Sequence, residues 1–238
     1  TESGTSGTST QSSDLTDWKE RWNEAYSKRS GAMDAPARFN TSGWLNSFTG
    51  DPIPSEQMRE WLDQTTQRVL ALTPKKVLEI GCGTGMILYG CLPHVEHYTA
   101  VDLSPFALET IRSELSPQER SKVTLFNHAA HELDAVADKS CDLVIINSVA
   151  QYFPNSEYLL RVLAQARRVL VDGGKIFLGD VRSLEEERAF HTKVELEKAP
   201  GQMQAALLRE RISERASVES ELLLSKTFFS DWEVRDQQ

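Results

Sequence analysis

The sequence predicts an α/β fold of the Rossmann-like, doubly wound type, built around a mainly parallel sheet. Five short apolar runs alternate with helical stretches, which is the pattern of parallel strands joined by crossover helices. A glycine-rich turn, GCGTG at residues 81–85, follows the first apolar run, and Asp102 closes the second. A length of 238 residues is enough for one such domain with a leading segment.

The apolar runs and their spacing assign the elements in order. The predicted strands cover residues 77–80, 98–103, 123–128, 141–149 and 175–181. Helices are predicted at residues 15–28, 55–72, 86–92, 106–115 and 156–171, the last ending before the Asp172-Gly173-Gly174 turn. After Arg182 the sequence predicts mostly helix and no further strand pair.

Four segments follow from this pattern. We expect a flexible Gly/Ser/Thr-rich tail over residues 1–14 and a helical leading segment over residues 15–60. We expect the α/β core over residues 61–181 and a helical, substrate-side segment over residues 182–238. The sequence begins at Thr1 and stops in a polar stretch, so we expect it to be part of a longer protein.

Composition disfavours several classes of partner. The formal charge is −9, and an acidic surface repels a phosphate backbone, so we expect no nucleic-acid partner. No apolar run approaches the length of a membrane span, so we expect no membrane partner. The cysteines Cys82, Cys91 and Cys141 lack disulfide or metal spacing, which predicts a reducing, cytoplasmic setting and no metal site.

The turn at residues 81–85 and Asp102 indicate a nucleoside-containing cofactor. Glycines in a strand-to-helix turn let the backbone approach a ligand where a Cβ would clash. Asp102 is placed at a strand end to bind two ribose hydroxyls. Nicotinamide-binding folds favour GxGxxG, whereas this turn reads GxGxG and is preceded by Glu79. Such a carboxylate can orient the turn or receive the amino group of a methionine moiety.

With these residues the sequence resembles the class I S-adenosylmethionine-dependent methyltransferases. It is similar, more narrowly, to the methyltransferase domains of nonribosomal peptide synthetases and polyketide synthases. The narrower resemblance is carried by FNTSGWLNSFTGDPIPSEQMREW (39–61), INSVAQYFPNSEYLLRVL (146–163) and GDVRSLEEERAFHTKVEL (179–196). The family fold normally finishes with an antiparallel strand pair, and we expect this chain to stop before it.

The resemblance implies S-adenosylmethionine as the cofactor of the core and assigns contacts to it. Glu79 and the turn would form the methionine and ribose wall, Asp102 would hold the ribose, and the adenine would lie near residues 129–130. In the leading segment Tyr26 and Trp44 would help cover the cofactor, with core packing as the alternative for both. The expected contacts are Tyr26, Glu79, Gly81, Gly83, Gly85, Asp102, Leu103, Ala129, Ala130, Asn147 and Gln151.

A hydroxyl acceptor would need a base to remove its proton. The resemblance favours His191 in this role, with Glu221 or Glu219 fixing its tautomer. The alternative is that His191 is simply a packed side chain.

The sequence thus predicts a methyltransferase acting on an oxygen, or a nitrogen, of a carrier-protein-tethered polyketide or peptide intermediate, beside neighbouring synthase domains. Oxygen is favoured because His191 is available as a base. A free-standing small-molecule O- or N-methyltransferase and a non-catalytic, methyltransferase-like synthase domain are the alternatives. Nucleic-acid amino-methyltransferases usually carry Asn/Asp-Pro-Pro-aromatic after strand four, where this sequence has NSVA at residues 147–150.

Overall fold

Five parallel strands form the central sheet of the protein. The computed structural model describes Asn23, Glu24, Tyr26 and residues 38–236. The strands are β1 (Lys76–Ile80), β2 (His97–Val101), β3 (Val123–Phe126), β4 (Cys141–Asn147) and β5 (Leu170–Gly179). They lie in the order β3-β2-β1-β4-β5, and every neighbouring pair is parallel. The predicted parallel α/β fold is confirmed, while the predicted tail and most of the predicted helix 15–28 lie outside the described residues.

Helices connect and flank these strands. They are α1 (Ser55–Leu70), α2 (Met86–Cys91), α3 (Pro105–Glu114), α4 (Pro117–Arg120), α5 (Ser156–Val169), α6 (Glu187–Lys198), α7 (Ala205–Ser217) and α8 (Phe228–Asp236). Side chains cap the starts of α3, α4 and α5, and at α3 Ser104 Oγ accepts a hydrogen bond from Ala107 N at 3.1 Å. Within the described ranges, no helix combines the length and the apolar character needed to cross a membrane.

The hydrophobic core lies on both faces of the sheet. Successive residues of a strand point to opposite faces, so β4 contributes Leu143 and Ile145 to one layer and Val144 and Ile146 to the other. The first layer packs against α2 and α3, and the second packs against α5. Burial on both faces explains why β4 reads as a continuous apolar run.

The end of α5 differs from its prediction. The helix stops at Val169, and β5 begins at once with Leu170, so the predicted turn at residues 172–174 lies inside the strand. Leu170 pairs with Cys141, and the register then shifts before Leu143 pairs with Lys175. Gly173 and Gly174, which composition alone assigns to a turn, therefore lie at a β-bulge within the strand.

A second, very small sheet follows Arg182. The strands β6 (Arg182–Ser183) and β7 (Leu223–Leu224) pair in parallel, so the prediction of no further strand pair was wrong. This pair is separate from the central sheet, which within the described ranges ends at β5. Two-residue strands carry no periodic signal, and only the tertiary fold brings these two together. The pairing returns residues 219–224 to the carboxyl end of β5.

Candidate active site

A cavity of about 510 Å³ opens at the carboxyl ends of the central strands. Glu79 of β1, Asp102 after β2 and Asn147 of β4 all line it. β1 and β4 are neighbours at the point where the strand order turns from one side of the sheet to the other. Open α/β sheets bind ligands in the crevice at this switch point. The cavity is therefore the candidate active site.

The glycine turn after β1 forms one wall of the cavity. Gly81 and Gly83 have φ angles of +76° and +52°, a region that other residues rarely adopt. A Cβ on Gly81 would lie 2.6 Å from Val149 Cγ2, and one on Gly83 would lie 2.9 Å from the hydroxyl of Tyr26. The turn therefore needs glycine both for its backbone angles and for its close neighbours.

Asp102 fastens this turn to the start of α3. Its Oδ2 accepts a hydrogen bond from Gly83 N at 2.7 Å, and its Oδ1 accepts one from Ser104 N at 2.8 Å. Burial raises the pKa of Asp102, and the two backbone donors oppose that shift. A carboxylate has about four lone-pair positions, so Asp102 keeps acceptor capacity toward the cavity.

Glu79 is the most deeply buried acid of the site, with 3% of its surface exposed. Its Oε2 accepts a hydrogen bond from the Tyr98 hydroxyl at 2.8 Å. Burial raises the pKa of Glu79, the Tyr98 hydrogen bond opposes this shift, and the charge of Asp102 adds to it, so that the pKa is about 8. At neutral pH the carboxyl group is mostly protonated, and a cation entering the cavity would favour its ionised form.

Three carboxyl groups face the cavity. Glu79, Asp102 and Glu221 line it, and no lysine or arginine does so among the described lining residues. Such a cavity favours a positively charged ligand.

Polar side chains gather at the end of the cavity beyond β4. Glu221 Oε2 lies 2.5 Å from Arg182 Nη1, and Leu222 N donates to the backbone oxygen of Gln151 at 2.6 Å. Gln151 Oε1 is buried and has no hydrogen-bond partner among the described residues. Burial, followed by the charge of Glu221, raises the pKa of Tyr152. These residues form what we call the acceptor end: Gln151, Tyr152, Arg182 and Glu221.

His191 lies on α6 and is not among the residues that line the cavity. It is 2% exposed, and its Nε2 is 3.4 Å from Glu219 Oε2 and 3.9 Å from Glu187 Oε1. Of the two predicted partners, Glu219 is therefore the one beside His191. Glu221 faces the cavity instead, and Arg182 connects the two acids through a 3.0 Å contact with Glu219. The catalytic role of His191 stays a prediction.

Most of the predicted cofactor contacts meet in the cavity, and Trp44 joins them. The cavity is lined by Tyr26, Glu79, Gly81, Gly83, Asp102, Leu103, Ala130, Asn147 and Gln151. Gly85 and Ala129 do not line it. A Cβ on Gly85 would lie 2.9 Å from Ile111 of α3, so this glycine serves the packing of the helix against the turn.

Several lining residues were not predicted. Those near the expected adenine position are His128, Phe153 and Tyr158, and those near Trp44 are Leu45, Ile53 and Trp61. The aromatic block YFPNSEY at residues 152–158 could have indicated Phe153 and Tyr158, and His128 is the last residue of the predicted strand 123–128, beside the expected adenine position.

A short hairpin brings the second group to the cavity. Leu45 and Pro52 form an antiparallel bridge, and Ile53 N donates to Trp44 O at 3.0 Å. The ring centroids of Trp44 and Trp61 are 4.6 Å apart, so the hairpin packs on α1. The positions of these residues depend on the hairpin and on α1 together, which sequence spacing alone does not specify.

Comparison with known proteins identifies the family. Residues 78–176 match the methyltransferase domain family. The chondramide synthase of Chondromyces crocatus is 41% identical over 196 residues, which is 81% of this chain and 5% of the synthase. Nonribosomal peptide synthetases of Emericella nidulans and Metarhizium robertsii are 35% and 32% identical over 79% and 92% of this chain. The chain spans only 7% and 3% of the length of these two relatives.

Solved structures share the fold at low sequence identity. Phosphoethanolamine N-methyltransferase 1 of Haemonchus contortus gives a TM-score of 0.52 at 22% identity, covering 69% of this chain and 32% of that enzyme. The N-methyltransferase NodS of Bradyrhizobium japonicum gives 0.51 at 17% identity, covering 84% and 85%. These findings show that the chain belongs to the methyltransferases, as a methyltransferase domain with relatives among nonribosomal peptide synthetases, and that it shares the fold of methyltransferases solved with S-adenosylhomocysteine.

Proposed function

We propose that this domain transfers a methyl group from S-adenosylmethionine to the amino nitrogen of an aminoacyl or peptidyl group tethered to a carrier protein. The observation that carries the choice of nitrogen is the lining of the cavity, where Glu221 faces the acceptor end and His191 does not. The synthetase relatives support neighbouring synthase domains, and the proposal adds a carrier-tethered substrate and a cytoplasmic setting.

The residues at the sheet edge fit S-adenosylmethionine. Glu79 is a buried carboxyl group facing a cavity with no lysine or arginine among its described lining residues, so a cationic ligand would favour the ionised form of Glu79 and meet no opposing lysine or arginine. Asp102 retains acceptor capacity for ribose hydroxyls, and the glycine turn lets the backbone line the cavity where a Cβ would meet Val149 or Tyr26. Glu79 would hold the ammonium group, while Tyr26, Leu103 and Ala130 would enclose the ligand. The cofactor supplies a methyl group already activated on a sulfonium.

The remaining task of the protein is to orient the acceptor and exclude water. An amine with a free lone pair needs no base at the moment of transfer, whereas a hydroxyl does. The favoured base for a hydroxyl, His191, contacts Glu219 and Glu187 and does not line the cavity. The preference for oxygen therefore loses its support, and the amine becomes the better acceptor. Glu221 can accept the proton that an ammonium group must lose.

Mass spectrometry of loaded carrier proteins tests this proposal. Matched carriers bearing an aminoacyl or a hydroxyacyl group with the same side chain are incubated with the protein and S-adenosylmethionine. We expect the mass of the aminoacyl carrier alone to increase by that of one CH2 unit, because a methyl group replaces a hydrogen. Tandem fragmentation should locate this methyl group on nitrogen.

Two results would count against the proposal. Methylation of the hydroxyacyl carrier alone would return the acceptor to oxygen. Methylation of a free amino acid but of neither carrier would indicate a free-standing small-molecule enzyme. A reaction with excess S-adenosylhomocysteine serves as the control for cofactor dependence.

A further inference from the structure

We propose that Glu221 and Gln151 form an amine-binding subsite at the acceptor end, and that Arg182 is the residue that positions Glu221. This subsite rests on the proposed function, because it names where the amino group of the acceptor lies. No sequence pattern assigned a role to Arg182, and Glu221 was expected only as a partner of His191.

Glu221 is held by Arg182, which is distant in the chain, and by its near neighbour Glu219. Its Oε2 lies 2.5 Å from Arg182 Nη1, and its backbone N–H donates to Glu219 Oε1 at 3.0 Å. The next residue, Leu222, donates its N–H to the backbone oxygen of Gln151 at 2.6 Å. A backbone hydrogen bond therefore links the segment that carries Glu221 directly to the segment that carries Gln151.

Arg182 is itself fixed on several sides. Its Nη1 contacts Glu219 Oε2 at 3.0 Å as well as Glu221, and its guanidinium lies 4.7 Å from the centroid of the Phe190 ring. Hydrogen bonds to the two carboxylates and their charges raise the pKa of Arg182 despite its partial burial. A planar guanidinium held in this way keeps a carboxylate in one orientation.

The free acceptors at this end match an amine. Gln151 Oε1 has no hydrogen-bond partner among the described residues, Arg182 bonds Glu221 at Oε2 and leaves Oε1 aside, and both side chains line the cavity. An uncharged primary amine can donate two hydrogen bonds, and an ammonium can donate three, whereas a hydroxyl can donate one. An amine can thus satisfy both oxygens, while a hydroxyl must leave one of them unpaired at a cost.

The charges at this end have the sign that an ammonium group requires. Arg182 contributes one positive charge against the two carboxylates of Glu219 and Glu221, so the group keeps a net negative charge. When an ammonium enters, its proton passes to the carboxylate of Glu221. The N–H bond breaks, an O–H bond forms, and the electron pair stays on nitrogen as the lone pair that the acceptor needs.

Binding measurements test the subsite without relying on turnover. The probes are alanyl-pantetheine amide and lactyl-pantetheine amide, which differ only in an amino or a hydroxyl group. Calorimetry with the full chain saturated with S-adenosylhomocysteine gives the dissociation constant of each probe. We expect Glu221→Gln to weaken the amine probe about tenfold and the hydroxyl probe less than about twofold.

A matched control distinguishes the loss of a carboxylate within the subsite from the loss of a carboxylate elsewhere on the protein. Glu185 is an exposed carboxylate near the start of α6 that contacts Lys226 and does not line the cavity. Glu185→Gln should leave both dissociation constants within about twofold of the parent. Thermal unfolding and affinity for S-adenosylhomocysteine are measured for every variant to show that the fold and the cofactor end are unchanged.

Two substitutions of Arg182 test its positioning role. Arg182→Lys keeps a cation beside Glu221 and should retain much of the preference for the amine probe over the hydroxyl probe. Arg182→Met should lose as much of this preference as Glu221→Gln loses. Equal weakening of both probes, or no change in the amine probe in Glu221→Gln, would overturn the subsite. Failure of the parent protein to methylate any amine would instead count against the proposed function, since the probe affinities are read independently of turnover.

Discussion

The two ends of the cavity are built in different ways. The cofactor end comes mainly from one stretch of strand, turn, helix and strand over residues 79–103, with Glu79 and Asp102 only 3% and 8% exposed. At the acceptor end Glu221 is paired with Arg182, 39 positions away, and their side chains are 30% and 24% exposed. Local backbone geometry thus fixes one end, and long-range ion pairs fix the other. Changes at the first end should affect binding and folding broadly, whereas changes at the second should affect selectivity.

The largest effect is expected from adding a methyl group to the glycine turn. Gly81→Ala combines a φ of +76° with a Cβ placed 2.6 Å from Val149 Cγ2. We expect the free energy of unfolding to fall by about 3 kcal/mol and cofactor affinity to be largely lost. Urea denaturation and calorimetry measure the two effects.

A second glycine separates the backbone strain from the steric clash. Gly50 has a φ of +81°, but nothing lies within 4 Å of a Cβ built on it. Gly50→Ala should therefore cost only about 1 kcal/mol, from strain alone. Equal losses for Gly50→Ala and Gly81→Ala would show that close packing against Val149 does not matter.

An intermediate effect is expected from the buried acid at the cofactor end. Folded protein keeps the proton on Glu79 up to its pKa of about 8, whereas the unfolded chain releases it near the ordinary value of 4.5. The folded state therefore binds more protons between these values, and stability falls as pH rises through this window, by at most about 1.4 kcal/mol per pH unit. Glu79→Gln should flatten this slope, measured by urea denaturation from pH 5 to pH 8.

An exposed carboxylate provides the control for this pH profile. The side chain of Glu96 is 63% exposed, so Glu96→Gln should leave the pH slope unchanged. A slope in Glu79→Gln as steep as in the parent would mean that another group dominates the titration.

The smallest effect on catalysis is expected from His191. Because His191 does not line the cavity, His191→Asn should lower turnover on an aminoacyl carrier by less than about threefold, with a stability loss of about 1 kcal/mol. Initial rates and thermal unfolding measure these quantities, and exposed His94→Asn provides the comparison. A loss of about a hundredfold in turnover at unchanged stability would restore His191 to a catalytic role and remove the contrast between the two ends.

Sequence reasoning was most accurate where the signal is local. The predicted strands all exist, because apolar runs between turn residues reflect burial on both faces of the sheet. It was least accurate where pairing partners are distant, since neither the pairing of Leu170 with Cys141 nor the β6–β7 pair has a counterpart in periodicity. Tertiary contacts override local composition at such positions.

The sequence by itself determined the parallel α/β fold, the glycine turn and the placement of Glu79 and Asp102, because strand ends and backbone angles depend on neighbouring residues. It also indicated the methyltransferase family through blocks of residues around the site. Only the tertiary structure decided which acid faces the cavity. His191, Glu219 and Glu221 are compatible with several arrangements in sequence, and the contacts of Arg182 selected one of them. Ion pairs between residues far apart in the chain form only once the fold has brought them together, so spacing cannot reveal them.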